Sequence, residues 1–275
     1  MVGITAETAG VVNLRILKNR NLAITTMLTF IVGFILFTSV FIFPLMLQRV
    51  LGYTAYETGI TLLPATFLSL IIMPFIGKML QHGTRPQVFV ILGFITLMGF
   101  GILMSRADQN VTSRFFALPL MIRGAGLALL FVPLNAMAVA GLHPRDIPQG
   151  VALNNMMRQL GGSFGIAIIN NYLAHRVAIH RTDVISNIYT GSPQLNERFN
   201  QIYQGLQSKL PVIANLQQQT YQIIELSVMK QTFLLSYLDA FLYSTLFILI
   251  SFPLILFTRR SRIKNKEVLV AAEEV

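Results

Sequence analysis

The chain has 275 residues, of which 54% are hydrophobic and only 12% charged, with a mean hydropathy of +0.63; this is too little polar surface for a soluble enzyme or a disordered chain, and it describes a protein buried in a bilayer. The formal charge of +10 does not point to nucleic acid, because the 21 Lys and Arg lie between apolar blocks and thicken at their ends, as membrane flanks do. Zero cysteine removes disulfides, thiolate metal sites and a cysteine nucleophile.

Six apolar blocks follow in chain order, at 21–47, 58–77, 87–104, 115–142, 149–172 and 231–258, each able to cross a hydrocarbon layer ~30 Å thick as a helix. The fold class expected is an all-α membrane protein with six transmembrane helices. Strands are excluded, because no block alternates apolar and polar residues over barrel-strand lengths. Arg15, Lys18 and Arg20 give the first block the basic start of a signal peptide, but its apolar run is far too long for one, so it is a permanent span. It carries Phe30, Phe34, Phe37, Phe41 and Phe43, which suit an adaptable greasy pocket and lipid-facing packing equally well. Pro44, Pro64, Pro74, Pro119 and Pro133 predict bends within the helices.

The fourth span contains Arg123. Residues 124–142 alone would cover about 28 Å at ~1.5 Å each, leaving Arg123 at the outer interface, whereas the apolar prefix 115–122 would extend the helix outward and submerge it. The fifth span holds Arg158 midway between Asp146 and His175, with no route to either surface. Asn154 shares its face, and Asn155 and Gln159 flank it, a polar stripe that a lipid-facing helix would not carry. The stripe either meets a cavity or an interhelical hydrogen-bond network, or only packs one helix on another. Gly161 and Gly165 form a G-x-x-x-G face suited to close helix packing.

The stretch 173–230 spaces Ile202, Leu206 and Leu210 among Gln and Ser, which predicts amphipathic helices at or above the outer membrane surface. In the sixth span Asp239 precedes the charge-free run 240–258, near the outer water boundary, as a proton carrier or an ion-pair partner of an arginine. With both arginines buried, two cations face one acid, so a counter-ion must come from elsewhere. His175 and His180, five apart, do not share a helical face for a metal, and no cofactor site is expected. With no nucleophile triad, phosphate loop or paired carboxylates, the chain is not expected to be an enzyme.

Placing the N-terminus in the cytoplasm puts Arg15, Lys18, Arg20, Lys78, Arg85, Arg145, Arg259, Arg260, Arg262, Lys264 and Lys266 inside, against Arg49, Arg106 and Arg114 in the short loops outside. The positive-inside rule therefore sets both termini in the cytoplasm. The organisation expected is a cytoplasmic linker at 1–20, spans one to five within 21–172, an extracytoplasmic amphipathic segment at 173–230, the sixth span at 231–258 and a cytoplasmic tail at 259–275.

The turn after the second span, with Gly77, Lys78, Gly83 and Arg85, resembles the G-x-L-x-D-R-x-G-R loop of the major facilitator superfamily, with Gln81 where the acid usually stands. The run Arg123-Gly124-Ala125-Gly126, Pro133-Leu134-Asn135, Pro148, Gly150, Asn154, Asn155 and Arg158 to Gly162, together with Gly52-Tyr53, Gly59 and Leu63-Pro64, is similar to the fourteen-helix drug:proton antiporters of the EmrB/QacA type. The resemblance covers residues from about 12 to 257 and implies one C-terminal bundle of two inverted three-helix repeats. By the same resemblance Gly77, Gly83 and Arg85 form a cytoplasmic switch loop, Arg123 and Arg158 lie on cavity-lining helices, and Asp239 lies on a peripheral one. The function it implies is the C-terminal half of a multidrug exporter of the inner membrane, inactive alone. Its partners would be the bilayer, a separately encoded N-terminal half, lipophilic or amphiphilic small molecules and an adaptor on the periplasmic side. The alternative is a non-transporting membrane scaffold or degenerate transporter fragment.

Overall fold

The computed structural model describes residues 19–107, 113–186, 193–209 and 215–256. The expected tail, nearly all of the N-terminal linker, and the basic residues Arg15, Lys18 and 259–266 lie outside the described residues. Among those described, the chain is helical throughout: α1 (Arg20–Met46), α2 (Ala55–Gln81), α3 (Pro86–Met104), α4 (Ser113–Val139), α5 (Ile147–Ser186), α6 (Pro193–Lys209), α7 (Leu216–Ile248) and α8 (Ser251–Leu256).

Local chemistry sets the helix ends. Asn19 caps α1 by accepting from the Asn21 amide at 3.0 Å. Thr25 and Thr26 donate back to the carbonyls of Asn21 and Leu22, so their hydroxyls are satisfied inside an apolar environment. Beyond Pro44 the helix widens into a π turn over Leu47–Leu51 and stops at Gly52, whose φ of 73° suits glycine. Thr54 and Glu57 form a capping box at the start of α2. Pro44, Pro64, Pro74, Pro119 and Pro133 all lie within continuous helices.

Five helical stretches are long and apolar enough to cross a membrane by length and composition: Arg20–Leu51, Ala55–Gln81, Pro86–Met104, Phe115–Val139 and Leu216–Ile255. The expected fifth span, α5, is not among them, because Asn154, Asn155, Arg158 and Gln159 interrupt its apolar residues. It nevertheless runs side by side with α1, its most extensive neighbour. Phe30 meets Gly161 and Phe34 meets Gly165, so the two helices are parallel and cover the same depth.

Two span limits differ from expectation. The fifth helix does not stop at 172 but runs unbroken to Ser186, and the sixth begins at Leu216 rather than 231. At ~1.5 Å per residue the 40 residues of α5 extend about 60 Å, twice a hydrocarbon core. Polar composition hides these lengths of helix from a search for apolar runs. At its other end α7 breaks at Leu249 and Ile250 before α8, ahead of the expected limit at 258, which is outside the described residues.

The bundle places α1 centrally, against α5, α4 and α7. On one side α3 joins α4 to α7, and at the edge α2 packs mainly on α4 and buries little of itself. Phe34 stacks on Phe247 at 4.3 Å between α1 and α7, and Phe43 meets Phe116 edge-on at 5.7 Å between α1 and α4. After α5, α6 returns along α7, where the Phe199 ring lies 5.0 Å from the Tyr221 ring.

Candidate functional site

Three helices bring the buried polar groups together. Asn135, one turn from the end of α4, accepts at its single Oδ1 from Asn154 Nδ2 and from Arg158 Nη2 of α5, both at 2.9 Å. Asn154 is 1% exposed and Asn135 is 8%, so the two amides are withdrawn from water, while Arg158 is half-buried. The Arg158 guanidinium lies over the Phe131 ring at 4.5 Å, one turn before Asn135 on α4. Each of these amides could bond to water if exposed; buried, each depends on the others, and a missing partner costs on the order of 1–3 kcal/mol.

Sequence reasoning named Asn154 and Arg158 but passed over Asn135 as a site. Asn135 sits alone in an apolar run, and only the crossing of α4 and α5 makes it the shared acceptor. The one signal present was its place in the Pro133-Leu134-Asn135 segment. Asn155 is half-buried and Gln159 is exposed; neither joins the network.

Arg123 is 8% exposed and lies about 15 Å along α4 from Ser113, at ~1.5 Å per residue. It is buried between helices of the bundle. Its Nη1 donates to Ser39 of α1 at 3.3 Å. The Nε atoms of Arg123 and Arg158 find no acceptor, and no carboxylate among the described residues pairs with either.

Asp239 has partners instead. One carboxylate oxygen accepts from Arg176 Nε at 2.7 Å and contacts His180 Nε2 at 2.6 Å, and Arg176 Nη2 pairs with the same oxygen. Both partners lie on the part of α5 beyond 172. Nearby, Tyr172 stacks on Tyr243 at 4.4 Å, and Arg181 pairs with Glu225 at 2.8 Å, so α5 and α7 are tied over three turns.

Gly161 and Gly165 serve the packing expected of them. A side chain at Gly161 would strike the Phe30 backbone, and one at Gly33 of α1 would strike the Arg158 backbone, so the two helices touch main chain to main chain. That contact fixes the α5 backbone from which Arg158 projects. In the α2–α3 turn, Gly77 is buried in α2, Gly83 has φ 87°, and exposed Arg85 is the residue before Pro86 at the start of α3. None of these three reaches the polar network, which places the turn apart from it.

Residues 3–166 match the sequence profile of the Major Facilitator Superfamily. The chain is 26% identical over 254 residues to the uncharacterized MFS-type transporter YhcA of Bacillus subtilis, covering 90% of this chain and 47% of that protein. It is 26% identical over 210 residues to the multidrug export protein EmrB of Haemophilus influenzae, covering 76% and 41%, and 25% identical over 250 residues to EmrB of Escherichia coli K12, covering 90% and 47%. The chain thus spans about half the length of the curated relatives it matches.

Proposed function

The chain belongs to the major facilitator superfamily, and on that footing we propose that it forms the C-terminal six-helix bundle of a secondary transporter that exports lipophilic or amphiphilic compounds in exchange for protons. The observation that carries this is the Asn135, Asn154 and Arg158 hydrogen-bond network, its two amides buried, inside a largely apolar bundle. Bilayer insertion penalises such groups by about 2.5 kcal/mol or more for an arginine, so they persist where a translocation path or a partner helix uses them. The names of the EmrB relatives, multidrug export proteins, support the substrate class.

In this proposal the bundle sits in the inner membrane with both termini cytoplasmic, as the distribution of Lys and Arg supports. The α2–α3 turn with Gly77, Gly83 and Arg85 faces the cytoplasm and flexes as the bundle rocks. The far ends of α5 and α7, with α6, stand outside and are where an adaptor would dock. Asp239 acts there as the anchor of α7 to α5, since Arg176 and His180 already engage its carboxylate. Alternating access needs two bundles moving about a shared site, so this bundle alone exports nothing.

Nile red accumulation in a pump-deficient host tests the proposal. This chain alone should leave accumulation unchanged, and co-expression with an N-terminal bundle of the same family should lower it in an energy-dependent way. Energy-dependent efflux by the lone chain, without self-association, would overturn the half-transporter proposal. Failure with every N-terminal bundle would favour a non-transporting scaffold.

A further inference from the structure

Among the described residues, a histidine meets a carboxylate where α5 packs on α7. Arg176 and His180 stand one turn apart on the same face of α5, and both turn to Asp239 of α7. His180 Nε2 lies 2.6 Å from Asp239 Oδ2, the oxygen that also accepts from Arg176 Nε at 2.7 Å. The His180 side chain is 17% exposed and that of Asp239 27%, so the cluster is partly withdrawn from water while protons still reach it. Arg123 and Arg158 offer nothing comparable, because an arginine keeps its proton at any accessible pH.

A carboxylate accepts and does not donate, so Nε2 must carry the hydrogen between them. A neutral imidazole can offer that hydrogen, but an imidazolium offers it with a full charge, which makes the bond stronger. The groups around the ring decide whether it takes the charge. Asp239 favours it, while Arg176 and partial burial oppose it. Two nitrogen donors on one oxygen stand farther from each other than from that oxygen, so the attraction exceeds the repulsion. One turn along both helices, Tyr172 and Tyr243 stack at 4.4 Å, with the Arg176 guanidinium 5.9 Å from the Tyr172 ring. In the other direction Arg181 and Glu225 pair at 2.8 Å, and Arg49, on the π turn that ends α1, lies 5.5 Å from the Phe233 ring. Each of these charges has a partner of its own, which leaves His180 to answer Asp239.

We infer that His180 and Asp239 form a proton-binding site, which clamps α5 to α7 in acid and loosens as the imidazole loses its charge. Histidine is the side chain whose charge changes between pH 5 and 8. The bound proton strengthens a contact that exists only in the folded chain, so its contribution is complete in acid and fades as pH rises. In stronger acid the carboxylate takes a proton itself, and the clamp weakens from the other side. The same helix carries Asn154 and Arg158, so a proton at His180 governs how firmly the far end of that helix is held. The clamp belongs to the bundle alone, beyond any part it plays in export and whichever way the helices face, so a failure of export leaves it standing.

The test uses the whole chain as a fluorescent-protein fusion, heated in steps at pH 5.5 or pH 8.5 and then chromatographed at one common pH. The reading is the gap in melting midpoint between the wild type and His180→Gln. At pH 5.5 the gap should be about 2–4 °C, the size of one such contact in a chain of this length, and it should shrink at pH 8.5. In an Asp239→Asn background the effect of His180→Gln should no longer depend on pH, since the anion is gone. His175→Gln alters an exposed histidine five residues away, off the clamped face, and should melt with the wild type at both pH values. If His180→Gln does not fold, the wild type is read against Asp239→Asn, and that gap too should be wider at pH 5.5 than at pH 8.5. A gap that is equal at the two pH values or wider at pH 8.5 would overturn the proton-binding site. So would a pH dependence that persists without Asp239, or that appears equally in His175→Gln.

Discussion

Replacing Gly161 by alanine tests the main-chain contact on which the position of Arg158 rests. The added methyl would lie 2.8 Å from the Phe30 carbonyl carbon and 3.0 Å from its Cα, with the carbonyl oxygen closer still. Carbon atoms rest ~3.5–4.0 Å apart, and the obstacle is backbone that cannot rotate aside, so α1 and α5 must separate by roughly 1 Å. Separation there would also loosen Gly33 from the Arg158 backbone and Gly165 from Phe34, which belong to the same seam. Overpacking of this kind costs about 1–3 kcal/mol. At ~2–4 °C per kcal/mol for a chain of this size, the midpoint should fall by about 2–12 °C. Gly99 of α3 is the control, because nothing lies within 4 Å of a side chain added there. Gly99→Ala should melt with the wild type or slightly above it, since alanine favours helix by up to ~1 kcal/mol. Fluorescence-detected size exclusion of a fluorescent-protein fusion after graded heating measures both. If Gly161→Ala melts with the wild type while Gly99→Ala falls, α1 and α5 do not meet backbone to backbone.

Asp239→Asn and Arg176→Ala should each lower the melting midpoint, and the double variant should fall by less than the sum; the coupling expected for a shared contact is about 0.5–3 kcal/mol, and strict additivity would mean the pair does not form. Asn135→Ala should reduce export by the assembled transporter as severely as Arg158→Ala, and Gln159→Ala, outside the network, should leave it near normal; the reverse order in an accumulation assay would remove Asn135 from its central place. Cysteine at His82, beside Gly83 but free of its positive φ, should resist impermeant thiol reagents added outside, and cysteine at Gln207 of α6 should label readily. Inverted labelling in this cysteine-free background would reverse the orientation of every helix.

Charge-free runs longer than a bilayer is thick have few solutions other than helices, since every backbone amide must be satisfied within the segment. That is why the all-α class and most of the spans were legible without coordinates, and why Arg158, stranded mid-span, stood out. The polar end of α5 and the polar start of α7 were not legible as continuations, because a helix that water can solvate does not require the apolar run that marks a span. Asp239 was legible as a proton carrier or an ion-pair partner of an arginine, but not which arginine, for the same reason: Arg176 and His180 belong to that polar continuation. Asn135 was hidden differently. An amide in an apolar run has no periodic signature, and its meaning comes from which helix crosses it. Composition and charge pattern thus determined that the chain spans a membrane and where its stranded cations lie, because hydrocarbon penalises each residue on its own terms. Tertiary structure decided which groups compensate them, because a hydrogen bond between α4 and α5 depends on how closely α1 lets those helices approach, and that is set by contacts far apart in sequence.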